Sequence, residues 1–460
     1  MMGQMPPDQN ALFYDFCLEK HVPSNHLLRQ IDAFFDLSNL RQHLADFYST
    51  TGRPSIDPEL MIRMLLVGYC YGIRSERRLC EEVHLNLAYR WFCRLGLEGT
   101  VPDHSTFSKN RHGRFRDSDA FRHLFEDVVE RAIAIGLVRG EGFAVDASLI
   151  KADAHYERCI PGSELKTLDR ESVSEVVQRY LDTLDVVGPV KLPKNVSLTD
   201  PDARWASNRL GSADFYYSTN YLIDTDYGMI LDVEATPANR AEEVASTRVM
   251  IDRVEARFDI TPQRLIGDTA YGTAPMLGWL VEDKAIEPHV PVWDKGQRKD
   301  NTFSIGDFRW HGEADEYRCP AGKALRPRQK HYKHRPSRVT KDNTIIYSTS
   351  KADCRDCPLK SQCCPNTPTR KIKRSIHEDA RDVARNVIRT PEYRQSLCER
   401  KKVEMLFAHL KRILKLDRLR LRGLDGARDE FLLAATAQNL RRMAKLMAQP
   451  PPNCRIGAPA

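Results

Sequence analysis

The 460-residue sequence contains no run of eighteen apolar residues, the length that a membrane-spanning helix needs. Its longest apolar stretch, LLVGYCYGI at residues 65–73, is too short to span a bilayer and is typical of a buried helix. The opening residues MMGQMPPDQN have no basic segment followed by an apolar core, so no secretory signal is expected. These absences argue against a membrane protein and predict a cytoplasmic protein without a membrane partner.

Disulfides are not expected either, because a long chain without an export signal is typical of a reducing compartment. Five of the twelve cysteines are nevertheless grouped: Cys319 in RCPAGK, and Cys354, Cys357, Cys363 and Cys364 in DCRDCPLKSQCC. A Cys-Pro-x-Gly turn directs backbone N–H groups at a thiolate, an environment common around zinc-bound sulfur. A structural zinc site of Cys319, Cys354, Cys357 and either Cys363 or Cys364 is one interpretation. Free thiols or a redox pair are the alternatives.

Positive charge is concentrated in two segments, although the net charge of +7 is modest. Residues 326–341 hold seven Lys/Arg and no acid, and residues 400–422 hold nine Lys/Arg against two acids. Such clusters are typical of phosphate-binding surfaces, and a solvated surface is the alternative for either cluster alone. The candidate phosphate-binding residues are Arg326, Arg328, Lys330, Arg400, Lys401 and Lys411.

Hydrophobic periodicity predicts helices at both ends of the chain and a mixed α/β sheet between them. Residues 142–150 alternate as a strand, YYSTNYLID and MILDVEA around TDYG predict a hairpin, and residues 240–258 predict a helix. The expected organisation is a helical domain at 1–135, a core at 136–274 with a polar insertion at 151–205, a basic, Cys-rich insertion at 275–390, core helices at 391–447 and a disordered tail at 448–460.

Two of the predicted strands end in an aspartate. Asp146 follows FAV and Asp268 follows LIG, so both acids stand at the end of a buried strand. Ligand-binding and catalytic residues of α/β sheets often lie at such edges. A buried carboxylate is also energetically costly unless it is paired or binds a cation. The alternative is that each aspartate only caps a turn.

A third carboxylate, Glu404, lies within the basic helical segment ERKKVEMLFAHLKRILK. At 100° per residue, Arg400, Glu404 and Lys411 fall within about 40° of one another. The neighbouring stripe is apolar and is expected to face the sheet; it consists of Val403, Phe407, Leu410 and Leu414. Glu404 could simply pair with Arg400 and Lys401 on the helix surface. Alternatively, three carboxylates beside two cations suit phosphoryl transfer, because acidic oxygens bind paired Mg²⁺ ions and cations bind phosphates.

These motifs resemble the Asp-Asp-Glu transposases of bacterial insertion sequences. The C-terminal signature Tyr-x2-Arg-x3-Glu-x6-Lys of that family is matched by Arg400, Glu404 and Lys411, with Leu397 at the tyrosine position. VDASLIKADA around Asp146 and LIGDTAYGT around Asp268 resemble its strand motifs, and GRPSIDPELMIRMLLVGYCYGIRSERRL resembles its helical N-terminal domain. The resemblance implies a ribonuclease-H-like core, a catalytic triad of Asp146, Asp268 and Glu404, and phosphate contacts by Arg400 and Lys411.

The function that the resemblance implies is transposition. The enzyme would bind double-stranded DNA at terminal inverted repeats, cut the 3′ ends with two Mg²⁺ or Mn²⁺ ions, and join them to target DNA. Paired ends imply at least a homodimer in the synaptic complex. A structure-specific nuclease with the same core and a non-catalytic, zinc-containing DNA-binding protein are the alternatives.

Overall fold

The computed structural model describes residues 16–49, 51–52, 55–187, 192–207, 213–294, 300–327 and 338–448. The chain divides into two compact units. The first unit consists of Met1–Arg139, Ala147–Asp259 and Lys402–Ala460, and the second consists of Gly140–Asp146 and Ile260–Lys401. The fold is mixed α/β, as predicted. No helix within the described ranges combines the length and the apolarity needed to cross a membrane.

The helices begin and end as follows: α1 (Leu18–His21), α2 (Leu27–Asp32), α3 (Ser38–Leu44), α4 (Pro58–Tyr71), α5 (Glu76–Leu85), α6 (Leu87–Phe92), α7 (His104–Asn110), α8 (Ala120–Ala134), α9 (Glu175–Val187), α10 (Arg240–Phe258), α11 (Ala274–Gly278), α12 (Lys351–Arg355), α13 (Lys360–Cys363), α14 (Glu378–Val387), α15 (Pro391–Arg412) and α16 (Gly423–Met447).

The strands are β1 (Gly142–Lys151), β2 (Cys159–Pro161), β3 (Asn195–Ser197), β4 (Arg204–Ser207), β5 (Ala213–Asp224), β6 (Ile230–Pro237), β7 (Arg264–Ile266), β8 (Glu287–His289), β9 (Arg309–His311), β10 (Glu316–Arg318), β11 (Ala324–Pro327), β12 (Thr344–Ser348) and β13 (Lys371–Ser375). The largest sheet has the order β4-β5-β1-β7-β8, with β6 also paired to β5.

The first unit is built on two buried helices. α4 begins as the sequence predicts, because the Asp57 side chain accepts the Glu59 N–H and Pro58 occupies the first turn. Its residues 61–70 are all buried, which places LLVGYCY in the core. α16 packs against α4, α8 and β6, and its residues 431–440 are all buried. Both helices therefore bury apolar side chains in the core of this unit.

The predicted hairpin and the helix after it are both confirmed. β5 and β6 pair antiparallel, and the turn between them is held by Asp224, whose Oδ2 accepts the N–H groups of Asp226 and Tyr227. Gly228 completes the turn with a φ of +66°, a conformation that favours glycine. α10 then covers Arg240–Phe258, the predicted range, and packs against β5 and β6.

The second unit contains the parallel pairs β1–β7 and β7–β8. β8 was not predicted from the sequence, because it lies within the segment that was expected to interrupt the sheet. A separate antiparallel sheet has the order β13-β12-β11-β10-β9 and its own buried cluster, which includes Tyr317, Leu325, Tyr347 and Ile372.

Asp200 is a buried carboxylate of the first unit. It is 0% exposed, and its Oδ1 accepts the Tyr217 hydroxyl at 2.5 Å and the Gly423 N–H at 3.3 Å. Within the described part of the chain its Oδ2 has no hydrogen-bond partner. Burial raises the pKa of Asp200 to about 6, from an ordinary value of 3.8.

We expect Asp200→Asn to stabilise the protein at neutral pH. Because the pKa of Asp200 is raised on folding, the native state binds more protons than the unfolded state between pH 3.8 and about 6. The wild type therefore loses stability as pH rises through this window. The variant keeps the Oδ1 acceptor without the charge, so its free energy of unfolding at pH 7.5 should exceed that of the wild type by about 1–3 kcal/mol.

Urea unfolding at pH 4 and at pH 7.5 measures this difference. The stabilisation should be small at pH 4, where Asp200 is largely protonated in the native wild type. Asp182→Asn is the control, because Asp182 is an exposed partner of Arg170 and should contribute little at either pH. A stabilisation by Asp200→Asn that is the same at both pH values would contradict this assignment.

Candidate active site

Asp146 lies within β1, which continues to Lys151, so the prediction that this strand ends at Asp146 is wrong. Asp268 follows the adjacent parallel strand β7, as predicted. In the β1–β7 pair, Phe143 lies opposite Leu265 and Ala144 lies opposite Ile266. Asp146 and Asp268 each follow their last paired residue by two positions, so continuing this register sets them opposite each other. Neighbouring strands lie about 4.8 Å apart, and residues at the same offset point to the same face. The observed register ends at Ala144 and Ile266, so the proximity of the two acids stays a prediction.

Both aspartates stand where a buried strand reaches the surface. Phe143, Ala144 and Val145 are fully buried and Leu265 and Ile266 are at most 1% exposed, whereas Asp146 and Asp268 are half-buried. The buried residues fix the strands by packing, and the exposed fraction leaves the carboxylates accessible to a ligand from solvent. This gradient of burial is what the sequence pattern FAVD and LIGD predicts.

Asp268 also caps the turn that follows β7. Its Oδ1 accepts the Ala270 N–H at 2.7 Å, at the start of a short 3₁₀ turn over Thr269–Tyr271. Gly272 closes the turn, and a side chain there would meet the Pro291 carbonyl oxygen at 1.9 Å. The turn-cap interpretation is therefore confirmed for Asp268. This hydrogen bond fixes the orientation of the Asp268 carboxylate and does not exclude a second role as a metal ligand.

Glu404 lies in the second half of α15, in the first unit, and is exposed. Arg400 is one turn before it on the same helix, and Lys411 is about two turns after it. The predicted apolar stripe is confirmed, since Val403, Leu410 and Leu414 are 0% exposed and Phe407 is 7% exposed. Burial lowers the pKa of Lys411, and the nearby Asp417 carboxylate opposes this shift.

The second half of α15 is held on the sheet of the first unit by specific contacts. The ring of Phe407 stacks on Tyr221 of β5 with 4.8 Å between centroids. Lys402 Nζ donates to the carbonyl oxygens of Thr225 and Asp226 in the hairpin turn. These contacts fix the helix face that carries Glu404.

The first half of α15 is held on the parallel strands of the second unit. Ser396 Oγ lies 2.8 Å from His289 Nδ1 at the end of β8, and Arg264 Nη2 of β7 donates to Glu399 Oε2 at 3.1 Å. Sequence reasoning missed these positioning residues. They have no local signature, because Arg264 and Glu399 are 135 positions apart.

The approach of Glu404 to the two aspartates stays a prediction, because Glu404 belongs to the other unit. Among the described residues, no group of three or more His, Cys, Asp or Glu side chains is arranged to hold a metal ion. The donor chemistry still suits a hard divalent cation, since carboxylate oxygens are the ligands that Mg²⁺ and Mn²⁺ prefer.

The five grouped cysteines line one small cavity of about 20 Å³ in the second unit. The RCPAGK turn has the predicted form, because the Lys323 N–H donates to Cys319 Sγ at 3.2 Å. Cys354 Sγ lies 2.9 Å from Thr349 Oγ1. Burial, followed by the neighbouring Cys364 thiol, raises the pKa of Cys363 to about 11, so that thiol is protonated at neutral pH.

The predicted basic residues have different environments. Arg326 Nε pairs with Glu316 Oε2 at 3.0 Å, so its charge is partly neutralised, although its side chain is 75% exposed. Arg328 and Lys330 lie outside the described residues. Lys401 is exposed on α15.

Comparisons with known proteins match both ends of the chain to transposase families. Residues 16–113 match a transposase domain of the DUF772 family, and residues 318–444 match a transposase DDE domain. No curated protein sequence gives a significant match.

Among solved structures, one match is the Mos1 transposase paired-end complex with the left transposon end, at 11% identity and a TM-score of 0.16. The alignment covers 52% of this chain and spans 60% of the length of that one. A likeness this low carries no argument about fold or function.

The second family match contains Glu404 and its flanking cations, and the first contains the helical segment around α4. Together the two matches support a DDE transposase of the insertion-sequence type.

Proposed function

We propose that this transposase cuts and joins DNA at the ends of its element through Asp146, Asp268 and Glu404. The observation that supports the proposal is the parallel register of β1 and β7, whose last pair, Ala144 and Ile266, precedes each aspartate by two residues. We further propose that the sheet is the ribonuclease-H-like core that the family resemblance implies. Its support is the hairpin β5–β6 on one side of β1 and the parallel strands β7 and β8 on the other.

The three carboxylates would hold two Mg²⁺ or Mn²⁺ ions, which supply charge to activate a water or a 3′-hydroxyl and to stabilise the leaving oxygen. Arg400, Lys401 and Lys411 would contact the phosphate backbone near the carboxylates. These cations offset the repulsion between acidic side chains and DNA. Displacement occurs directly at phosphorus, and no side chain forms a covalent intermediate.

The partners of this proposal are the terminal inverted repeats, a target duplex and a second copy of the chain. An assay that supplies element ends and a plasmid target separates transposition from simple cleavage. Joined products support the transposase, whereas cleaved ends that never join would support a structure-specific nuclease.

We expect Asp146→Asn, Asp268→Asn and Glu404→Gln to abolish metal-dependent cleavage while leaving end binding intact. Losing one charged metal ligand removes several kcal/mol of transition-state stabilisation, so the cleavage rate should fall by about a thousandfold or more. Cleavage of labelled ends and a gel-shift titration measure the two properties separately. Glu392→Gln, an exposed acid in the first turn of the same helix, is the matched control and should cleave normally. Full cleavage by the Glu404→Gln variant would overturn its place in the triad.

We also propose that Cys319, Cys354, Cys357 and either Cys363 or Cys364 hold a structural zinc ion. The proposal is supported by the shared cavity and by the N–H donated to Cys319 Sγ, an arrangement that stabilises a metal-bound thiolate. Zinc binding requires deprotonated thiols, so it would offset the raised pKa of Cys363 and release protons.

Metal analysis of protein purified without chelators should find one zinc per chain. Cys319→Ser should lose zinc and lower the midpoint of thermal unfolding, because a structural metal contributes directly to folding. Cys398→Ser changes an exposed cysteine outside the cluster, so this variant should keep the zinc ion and the wild-type midpoint of thermal unfolding. Wild-type protein without zinc, with the clustered thiols reactive in the native state, would show that these residues are free thiols instead.

A further inference from the structure

We propose that a pocket of the first unit binds a backbone phosphate of duplex DNA, in addition to the phosphate contacts near the carboxylates. The pocket has a volume of about 330 Å³ and is lined by residues of α4, α5 and α7 and of the segment that leads into α16. It is called the arginine pocket here because Arg74, Arg77, Arg111 and Arg420 all line it. The inference rests on the proposed function in that DNA supplies the phosphate.

Arg74 is a buried guanidinium with unused donors. Its side chain is only 9% exposed, and its Nη2 donates to Glu430. Its Cζ lies 4.4 Å from the centroid of the Tyr69 ring, which fixes the plane of the group. In the described part of the chain, Arg74 Nε has no hydrogen-bond partner. A buried N–H without an acceptor costs about 1–3 kcal/mol.

Arg111 repeats this arrangement on the α7 side of the same pocket. Its side chain is 8% exposed, and its Nη1 pairs with Glu76 Oε1 at 2.5 Å. Its Nε likewise finds no acceptor among the residues that the structure describes. Two guanidinium groups, each more than nine-tenths buried and each paired with a glutamate, thus line one cavity. A planar guanidinium fork matches the geometry of phosphate oxygens.

The charges that line the pocket do not cancel. Four arginines face two carboxylates, Glu76 and Glu430, which leaves two positive charges in excess. Glu430 is also occupied by the backbone, because its Oε1 accepts the N–H groups of Arg420 and Leu421, both at 2.6 Å. Because Arg74 and Arg111 are each paired with one of these glutamates, the excess charge lies on the exposed Arg77 and Arg420, and an anion in the pocket would offset it.

The position of the pocket favours a phosphodiester within a chain over a small free anion. Arg77 and Arg420 line the pocket but are exposed, so they can contact phosphates on either side of one that enters it. The pocket also adjoins the start of α5, a ten-residue helix capped by Ser75, whose Oγ accepts the Arg78 N–H. The positive end of a helix adds to the attraction for an anion.

Two variants test the proposal. Glu76→Gln/Arg111→Met removes the ion pair without changing the net charge of the protein. Arg111→Lys keeps the positive charge and the pairing with Glu76 but removes the guanidinium fork. The probe is a short labelled DNA duplex of arbitrary sequence, titrated at several salt concentrations. The double variant should bind about tenfold more weakly, as expected for one lost charged hydrogen bond. Its slope of log K against log salt should be smaller by about 0.9, the value for one phosphate contact.

Glu175→Gln/Arg179→Met is the matched control, because it removes an exposed ion pair from α9 of the same unit. Equal affinity and slope for the control and the pocket double variant would overturn the proposal. If the double variant fails to fold, Arg111→Lys provides the test. This variant should bind DNA a few-fold more weakly, with an unchanged slope of log K against log salt. Wild-type affinity of Arg111→Lys would refute the site.

Inorganic phosphate distinguishes the two sources of the anion. If phosphate raises the unfolding midpoint of the wild type but not of Arg111→Lys, while both bind DNA equally, the pocket takes a small anion and the DNA assignment is wrong. Failure of the proposed function would look different, since a wild type without affinity for any duplex would contradict the transposase assignment as a whole.

Discussion

The proposed active site depends on the parallel pairing of β1 with β7. Each strand contributes two or three fully buried residues and then, at the same offset, an aspartate. Burial of the apolar residues fixes the strands, and we propose that the fixed strands bring these two like charges close together. Such an arrangement is costly unless a cation or a proton compensates it, which is why the pair indicates a metal site more strongly than either acid alone.

α15 connects this strand edge to the rest of the chain. Its first half is held by the Arg264–Glu399 ion pair and by the contact between Ser396 and His289, and its second half by the stacking of Phe407 on Tyr221. Within the first unit, Glu404 lies next to the buried stripe of the helix, so the packing of that stripe limits the directions in which its side chain can point.

Much of the fold could be predicted from local patterns. The α10 range, the β5–β6 hairpin and the capped start of α4 each follow from periodicity or turn chemistry within a few residues. The position of Asp268 just after a strand followed from an apolar run that stops at an acid, whereas β1 continues past Asp146 to Lys151. β8 was missed because EPH carries no alternation and only three residues form the strand.

What the sequence could not provide are contacts between distant residues. The buried Arg74–Glu430 pair joins positions 356 apart, and no periodicity connects them, so the arginine pocket is visible only in the folded chain. Arg326 similarly belongs to a basic cluster in the sequence, yet pairs with Glu316 on the neighbouring strand. A count of charged residues along the sequence gives the local composition. Ion pairs in the folded protein determine which of those charges are available to bind a ligand.

The most direct measurement is Mn²⁺ binding, followed by electron paramagnetic resonance, in a double-mutant cycle of Asp146→Asn and Asp268→Asn. If the two carboxylates share an ion, each single variant should weaken binding by at least about tenfold, and the double variant should be little worse than either one. Additive losses, or Mn²⁺ affinity that neither substitution changes, would contradict the claim that these two carboxylates form one site.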